Sequence, residues 1–303
     1  MTRSFTLLVN PASGGGAAPG AVVPVARLLR DAGAQVEVTY SPGSRAVHDL
    51  VTRAVQRGDV VVSVGGDGML SSLVGPVSRQ GGTLGLLPAG RGNDFARALG
   101  LPDDPAAQAQ VLLAGRARTV DLVAATWPGQ EERRVAGSVY AGVDALASDL
   151  VDRAHRLPSA VQYPYAAVRA LSTFRPGRYR LDVDGVEVEH DAATVVVAGS
   201  GFYGKGMHIA PDAVLDDGLL DVVVIEAASK RALIRSLPKV YDGSHVHLDA
   251  VHVRRARRVE LRAEARGGVP VGGDGEGLGV LPGLDAEPLV VEVVPGALTV
   301  LAP

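Results

Sequence analysis

Glycine-rich turns that follow short apolar runs constrain the fold of this chain more than any other feature. The runs are FTLLVN, DVVVSV and TLGLLP, and they lead into the turns NPASGGG (10–16), GGDG (65–68) and AGRGND (89–94), with helix-like stretches between them. This alternation is typical of βαβ units and predicts a parallel sheet. Because open α/β sheets bind ligands at the carboxyl ends of their strands, we expect the three turns to converge on one crevice.

The later part of the sequence has a different pattern, with many short β runs from about Thr119 onward, among them YRLDVDGVEVEH, ATVVVAGS and LLDVVVIEAA. These runs predict an antiparallel, β-rich second domain with helical insertions near 144–156 and 159–173. The chain has 303 residues, of which 47% are hydrophobic, so it can bury two cores. We predict an α/β protein with domains over 1–120 and 121–285 and a segment, 286–303, that returns towards the first domain.

Composition excludes several classes of protein. The formal net charge of −3 does not indicate a nucleic-acid partner. The chain has no cysteine, so disulfides and thiolate metal sites are excluded, and a reducing compartment fits. The N-terminal apolar run is too short for a signal peptide, and no apolar stretch has the length of a transmembrane helix. We therefore expect a cytoplasmic protein whose membrane contact, if any, is peripheral.

The aspartate of the GGDG turn has two interpretations at this point. Glycine-rich strand-to-helix turns expose backbone N–H groups that bind anions, and Asp67 would repel a phosphate there unless a cation lay between them. This predicts a phosphate and a metal. A tight turn with Asp67 as the N-cap of the following helix explains the stretch nearly as well.

The other motifs also leave alternatives open. NPASGGG lacks the Lys-Ser/Thr ending of a P-loop, but Asn10 and Ser13 suit a phosphate. Asn93 and Asp94 open a helix, so capping alone can explain them. Asp217 precedes a glycine before a strand, which favours a plain turn. VGGDGEGLG (271–279) favours a hairpin apex, although its two acids could instead reach a substrate.

Taken in order, NPASGGG, GGDG, PAGRGNDFAR, TVDLV, GMHIAPDAVLDDGLLDV and GGDGE resemble the diacylglycerol kinase catalytic-domain family of lipid kinases over nearly the full length. The resemblance implies a nucleotide-binding α/β domain, a β-sandwich domain, and ATP- and Mg²⁺-dependent phosphorylation of a lipid hydroxyl in the cleft between them. Diacylglycerol is the first acceptor to expect. The substrate would come from a membrane surface, on the inner face of which the protein would bind transiently, and a homodimer is a further expectation.

The resemblance also implies roles for individual residues. Glu276 matches the catalytic base and Asp274 its supporting acid. Asp67, Asp94 and Asp121 resemble acids that organise the active-site Mg²⁺, largely through water, and Asp217, with carbonyl groups near Val214 and Leu219, resembles a separate structural metal site. The implied nucleotide contacts are Asn10, Pro11, Ala12, Ser13, Gly14, Ser41, Gly65, Gly66, Asp67, Gly68, Met69, Leu70, Ser71, Ser72, Arg91 and Asn93.

Three residues depart from the family pattern. Met69 and Arg91 each replace a usual threonine, and Lys205 interrupts a usual glycine run. Arg91 can replace a hydrogen bond with a charged phosphate contact. The alternatives are a kinase for another acceptor, such as a sphingoid base or phosphatidylglycerol, or a catalytically idle nucleotide- or lipid-binding regulator. Five arginines in HVRRARRVELR (252–262) suit either anionic headgroups or a solvated strand face.

Overall fold

A computed structural model describes residues 3–41, 44–153 and 159–303 of the chain. They divide into two compact units. Unit 1 comprises Met1–Leu122 and Pro295–Pro303, and unit 2 comprises Val123–Val294.

The helices and strands follow one another in two series. The first series is β1 (Ser4–Val9), α1 (Ala18–Asp31), β2 (Gln35–Tyr40), α2 (Ser44–Gln56), β3 (Val60–Gly65), α3 (Asp67–Arg79), β4 (Thr83–Pro88), α4 (Asp94–Ala98) and α5 (Pro105–Ala114). The second is β5 (Arg116–Thr126), β6 (Arg133–Val135), β7 (Ser138–Gly142), α6 (Val143–Arg153), α7 (Ser159–Thr173), β8 (Gly177–Val183), β9 (Val186–Ala198), β10 (Leu220–Glu226), α8 (Lys230–Asp242), β11 (Val251–Ala256), β12 (Arg258–Glu264), β13 (Pro270–Gly273), β14 (Glu276–Val280) and β15 (Leu289–Ala302). Short 3₁₀ helices occur at Ser13–Gly15 and Ser244–His247.

Unit 1 contains the predicted parallel sheet. Its strands lie in the order β2, β1, β3, β4 and the end of β15, and each neighbouring pair is parallel. β3 is buried at every position, as expected of an apolar strand between two helical layers. Helices α1 and α5 pack together, as do α2 and α3. The prediction of βαβ units is confirmed.

Unit 2 is antiparallel and β-rich, as the sequence predicts. The long strand β9 pairs with β8 through its first half, and its second half pairs with β7 and β10. Strand β13 joins β7 and forms a hairpin with β14. A large core of aliphatic residues, with Tyr179 fully buried among them, lies on one face of these strands.

The limits of the two units lie later in the chain than the sequence predicts. The predicted C-terminal segment began at 286, but β15 still pairs with β12 through Leu289–Glu292 and reaches β4 only at Thr299. A single strand therefore belongs to both units. The predicted helical insertions are α6 and α7, although 154–156 lie outside the described residues. No helix in the described part of the chain is both long and apolar enough to span a membrane.

Candidate active site

The three glycine-rich turns of unit 1 are in contact, which confirms their predicted convergence. A Cβ atom on Gly90 would lie 2.2 Å from the Cα atom of Gly66, and one on Gly14 would lie 2.5 Å from the carbonyl oxygen of Ala89. The backbone N–H of Gly66 donates to Ser13 Oγ at 3.4 Å. Glycine is required at 14 and 90 because the backbones of the turns approach too closely there for any side chain.

Asp67 connects two of these turns and does not cap its own helix. The N-cap of α3 is Gly66, so the capping interpretation of Asp67 is wrong in that form. Its carboxylate instead accepts the backbone N–H groups of Asn93 and Asp94, each at 2.9 Å. The first N–H groups of a helix have no acceptor within the helix, and a negative charge is favourable there. Asp67 therefore fixes the GGDG turn to the AGRGND turn.

Asn93 and Asp94 do not act as ordinary side-chain caps of α4 either. Asn93 is the N-cap residue with φ +55°, but its side chain makes no capping bond. Its amide exchanges two hydrogen bonds with the backbone of Gly90 and so closes the AGRGND turn. Asp94 is 7% exposed, and its carboxylate and that of Asp67 both lie beside Gly92.

Asp121 is also buried, at 8% exposure, and it accepts the backbone N–H of Gly296 at 2.7 Å. The acids predicted to organise Mg²⁺ are thus partly engaged by backbone donors. In the described part of the chain, Asp67, Asp94 and Asp121 do not form a cluster of direct metal ligands. Contact through water, which the resemblance implied, requires no such cluster.

The predicted nucleotide contacts differ in accessibility. Pro11, Ala12 and Gly14 are exposed, whereas Met69 and Leu70 are 4% and 3% exposed. The side chain of Met69 packs closely against Gly65. The backbone carbonyl oxygen of Met69 accepts a hydrogen bond from the hydroxyl of Ser72 at 2.7 Å.

The remaining predicted contacts lie around the first turn or follow the GGDG turn. Arg91 is exposed, and its guanidinium lies near Gly15. Asn10 Oδ1 accepts the N–H of Ala12, and Ser41 N–H donates to the end of β1 at Val9. Gly68 and Ser71 lie in the first two turns of α3 and are half-buried.

In unit 2, Asp274 and Gly275 form the predicted hairpin apex between β13 and β14. Both have positive φ, +47° and +85°, as a two-residue type I′ turn requires. The carboxylate of Asp274 accepts three successive backbone N–H groups, from Ala136 at 2.6 Å, Gly137 at 2.9 Å and Ser138 at 3.2 Å. Charge-assisted bonds of this kind are stronger than neutral ones, so Asp274 anchors the turn.

Glu276 begins β14 directly after this turn and is exposed. The turn is held on its other side by Tyr140, whose hydroxyl accepts the N–H of Gly275 at 3.1 Å. Tyr140 and the 136–138 backbone were not predicted from the sequence, since no local pattern relates them to the turn. An accessible carboxylate on a turn fixed from two sides is positioned to accept a proton.

Asp217 lies in an exposed turn before β10. Its carboxylate accepts the N–H of Leu219 at 3.1 Å and forms an ion pair with Arg255. Val214 is 44% exposed. The structure thus supplies a positive side chain at Asp217, and the structural metal there stays a prediction.

Comparisons with known proteins agree with this arrangement. Residues 4–125 match the model of the diacylglycerol kinase catalytic domain, and residues 137–302 match that of the YegS C-terminal NAD kinase beta sandwich-like domain. A diacylglycerol kinase of Mycobacterium tuberculosis strain H37Rv is 34% identical over 301 residues, which cover 98% of this chain and 94% of that protein. A probable YegS-like lipid kinase of Pseudomonas aeruginosa strain UCBPP-PA14 is 31% identical over a region that covers 90% of this chain and 87% of that protein.

Solved structures show the same fold. A putative diacylglycerol kinase from Bacillus anthracis strain Sterne superposes with a TM-score of 0.79 at 20% identity, over 100% of this chain and 96% of the other. An α/β unit with glycine-rich turns, followed by a sandwich-like β unit, is the domain arrangement of the lipid kinases whose family models match this chain. The chain belongs to the family of diacylglycerol kinases and YegS-like lipid kinases, and the resemblance drawn from the six motifs is confirmed.

Proposed function

We propose that this lipid kinase transfers the γ-phosphoryl group of ATP, with Mg²⁺, to a glycerolipid hydroxyl, and that diacylglycerol is converted to phosphatidic acid. The observation that carries the proposal is the anchored turn at Asp274, which presents the exposed carboxylate of Glu276. The relatives named diacylglycerol kinase support the choice of acceptor.

The turns of unit 1 suit the nucleotide. Gly14 and its two successors all have positive φ and are exposed, so their backbone is open to a phosphate. Arg91 adds a charged donor beside them. Asp67 and Asp94 offer carboxylate oxygens, the ligands that Mg²⁺ prefers, and bound Mg²⁺ would neutralise charge on the phosphates.

In the proposed reaction, the acceptor hydroxyl oxygen forms a bond to the γ-phosphorus while the bond from that phosphorus to the β–γ bridging oxygen breaks. ADP leaves with the bridging oxygen, and Glu276 takes the hydroxyl proton. Asp274 does not touch the acceptor in this scheme. It is a positioning residue that holds the turn through the N–H groups of 136–138.

A surface of unit 2 suits the membrane from which the lipid comes. Helix α7 exposes Val161, Tyr165 and Val168 at a spacing that places them on one face, each at 45–47% exposure. Helix α8 packs beside α7 and carries Lys230, Arg231, Arg235 and Lys239, with Ile234 also exposed. Apolar side chains beside a basic face are typical of helices that bind anionic membranes.

Three of the five arginines of 252–262 contribute less to such a surface. Arg255 pairs with Asp217, Arg258 pairs with Glu260 and Glu292, and Arg262 also pairs with Glu260. Paired charges on a strand attract headgroups weakly. We therefore assign membrane contact to α7 and α8.

A transfer assay with radiolabelled ATP tests the reaction. Diacylglycerol, a sphingoid base and phosphatidylglycerol are offered in mixed micelles, and the products are identified by mass. We expect label in phosphatidic acid. Label in another product would show that the protein phosphorylates that lipid and not diacylglycerol. ATP binding without transfer to any lipid would support a catalytically idle regulator instead.

Calorimetry tests the nucleotide site separately. Asp67→Asn keeps one acceptor oxygen for the N–H groups of Asn93 and Asp94 but loses the charge. We expect it to lose Mg²⁺-ATP binding while its circular dichroism is unchanged. Asp31→Asn, an exposed carboxylate at the end of α1, is the control. Equal affinities in both variants would exclude a role for Asp67 in the magnesium site.

A further inference from the structure

Two histidines and one glutamate meet on the surface of unit 2, and none of them is among the residues assigned to the candidate active site. His252 Nε2 lies 2.8 Å from Glu226 Oε1, and His190 Nδ1 lies 3.6 Å from the same oxygen. The two imidazole rings are 4.9 Å apart, and one ligand atom from each residue lies within 4.8 Å of the others. A ring nitrogen of each histidine therefore faces the same carboxylate oxygen of Glu226.

The fold holds these three residues in place from adjacent strands. Glu226 ends the central strand β10, His190 lies on β9 and His252 lies on β11. The pairing of β10 with β9 shifts register between Ile225 and Glu226, directly beside this cluster. Because the sheet itself spaces the ligands, little side-chain reorganisation is needed to bind an ion.

The donor set is chemically specific. Bonds of about 2.0–2.2 Å to zinc place tetrahedral ligand atoms about 3.4 Å apart, which lies within the spread of the three atoms here. Imidazole nitrogen suits zinc, copper and nickel, whereas Mg²⁺ prefers oxygen alone. His252 and Glu226 have side-chain exposures of 40% and 42%, so water can enter as a further ligand.

We propose that His190, Glu226 and His252 form a binding site for one divalent transition-metal ion, zinc in the first instance. The ion joins β9, β10 and β11 at the end of the sheet and keeps an open coordination position towards solvent. It is distinct in residues and in ligand type from the magnesium sites considered for Asp67 and Asp217.

The test uses the full chain, stripped of metal with a chelator and then dialysed. Titration with ZnCl₂ should show one ion bound per chain, and CoCl₂ should give the visible absorption of a coordinated ion. His190→Ala and His252→Ala should each weaken zinc binding by at least the 10–100-fold that loss of an outer-shell partner costs. His48→Ala, on the exposed side of α2, is the matched control and should bind as the wild type does.

Melting gives a second readout that does not depend on titration heats. Zinc bound only by the folded state raises the melting temperature of the wild type by mass action. His252→Gln keeps an N–H donor for Glu226 but is a poor metal ligand, so its melting temperature should not respond to zinc. Equal zinc affinity in wild type and both alanine variants, or no zinc response in the wild type, would overturn the proposal.

Discussion

Two Asp-Gly hairpins in unit 2 have the same turn and different surroundings. Asp184 and Gly185 join β8 to β9 with φ of +48° and +87°, and Asp274 and Gly275 join β13 to β14 with φ of +47° and +85°. In both, the aspartate accepts backbone N–H groups from outside its own hairpin. Asp184 binds those of Arg257 and Arg258.

The hairpins differ in burial and in the residue that follows. Asp184 is exposed and precedes Val186, which continues an ordinary strand. Asp274 is half-buried, binds three N–H groups rather than two, and precedes Glu276. The same turn chemistry thus fixes the backbone in both places, whereas only the second turn is followed directly by an acid. The anchored Asp-Gly pair is therefore what either turn needs in order to fold, and Glu276 is what the proposed site adds.

Glu276→Gln gives the largest expected difference between the hairpins. Glutamine keeps the size of the side chain but cannot accept a proton, and a general base contributes about 10²–10⁴ in rate. We expect kcat to fall within that range, with unchanged Mg²⁺-ATP affinity and melting temperature. Glu187→Gln, an exposed acid just after the other turn, should leave kcat unchanged. Turnover near that of the wild type in Glu276→Gln would place the base elsewhere.

Asp274→Asn and Asp184→Asn compare the two anchors. Asparagine tolerates the positive φ of the turn, but its amide group has one acceptor oxygen where the carboxylate has two. Its NH₂ group then faces backbone N–H donors that the second carboxylate oxygen accepted. Leaving buried donors unpaired costs about 1–3 kcal/mol, so Asp274→Asn should lower the denaturant midpoint clearly and reduce kcat. Asp184→Asn should cost less because water replaces the lost acceptor. The comparison fails if both variants lose equal stability and neither loses activity.

Tyr140→Phe and Asp182→Ala remove the second contact of each turn. Tyr140 accepts the N–H of Gly275, and Asp182 Oδ1 accepts that of Gly185 at 2.6 Å. Each neutral or exposed bond is worth about 1 kcal/mol. We expect similar small losses of stability, but only Tyr140→Phe should lower kcat, at constant KM. Equal kcat in both variants would show that Tyr140 does not position Glu276.

These contacts show which parts of the molecule the sequence could predict. The parallel sheet, the converging turns and the hairpin at 274–275 follow from apolar periodicity and from the φ preferences of glycine and aspartate, which are local properties. The three donors to Asp274 lie 136–138 positions away in the chain. No local pattern encodes such a contact, so the anchoring role was not predictable in this detail.

The capping interpretation of Asp67 failed for the same reason. An aspartate before a helix predicts a cap of that helix, because capping is read from neighbouring positions. The structure directs its carboxylate to the N–H groups of Asn93 and Asp94 instead. The cluster of His190, Glu226 and His252 is another case, since its members lie on three strands and share no motif.

Gly277→Ala is the smallest and most discriminating change. Gly275 has positive φ and therefore needs to be glycine, but Gly277 does not have positive φ, and a Cβ atom there would meet nothing within 4 Å. The fold gives no reason for this glycine. Alanine at such a position usually stabilises by about 0.4–1 kcal/mol because it restricts the unfolded chain.

The measurement for Gly277→Ala is a melting curve beside kcat/KM for the lipid. If substrate passes close to the backbone after Glu276, the variant should melt slightly higher and yet lose kcat/KM. Val186 is the first residue after the other turn and is exposed. Val186→Ala should change neither activity nor KM. A Gly277→Ala enzyme with full activity would show that this glycine serves neither the fold nor the approach of the substrate, and the contrast between the hairpins would then rest on Glu276 alone.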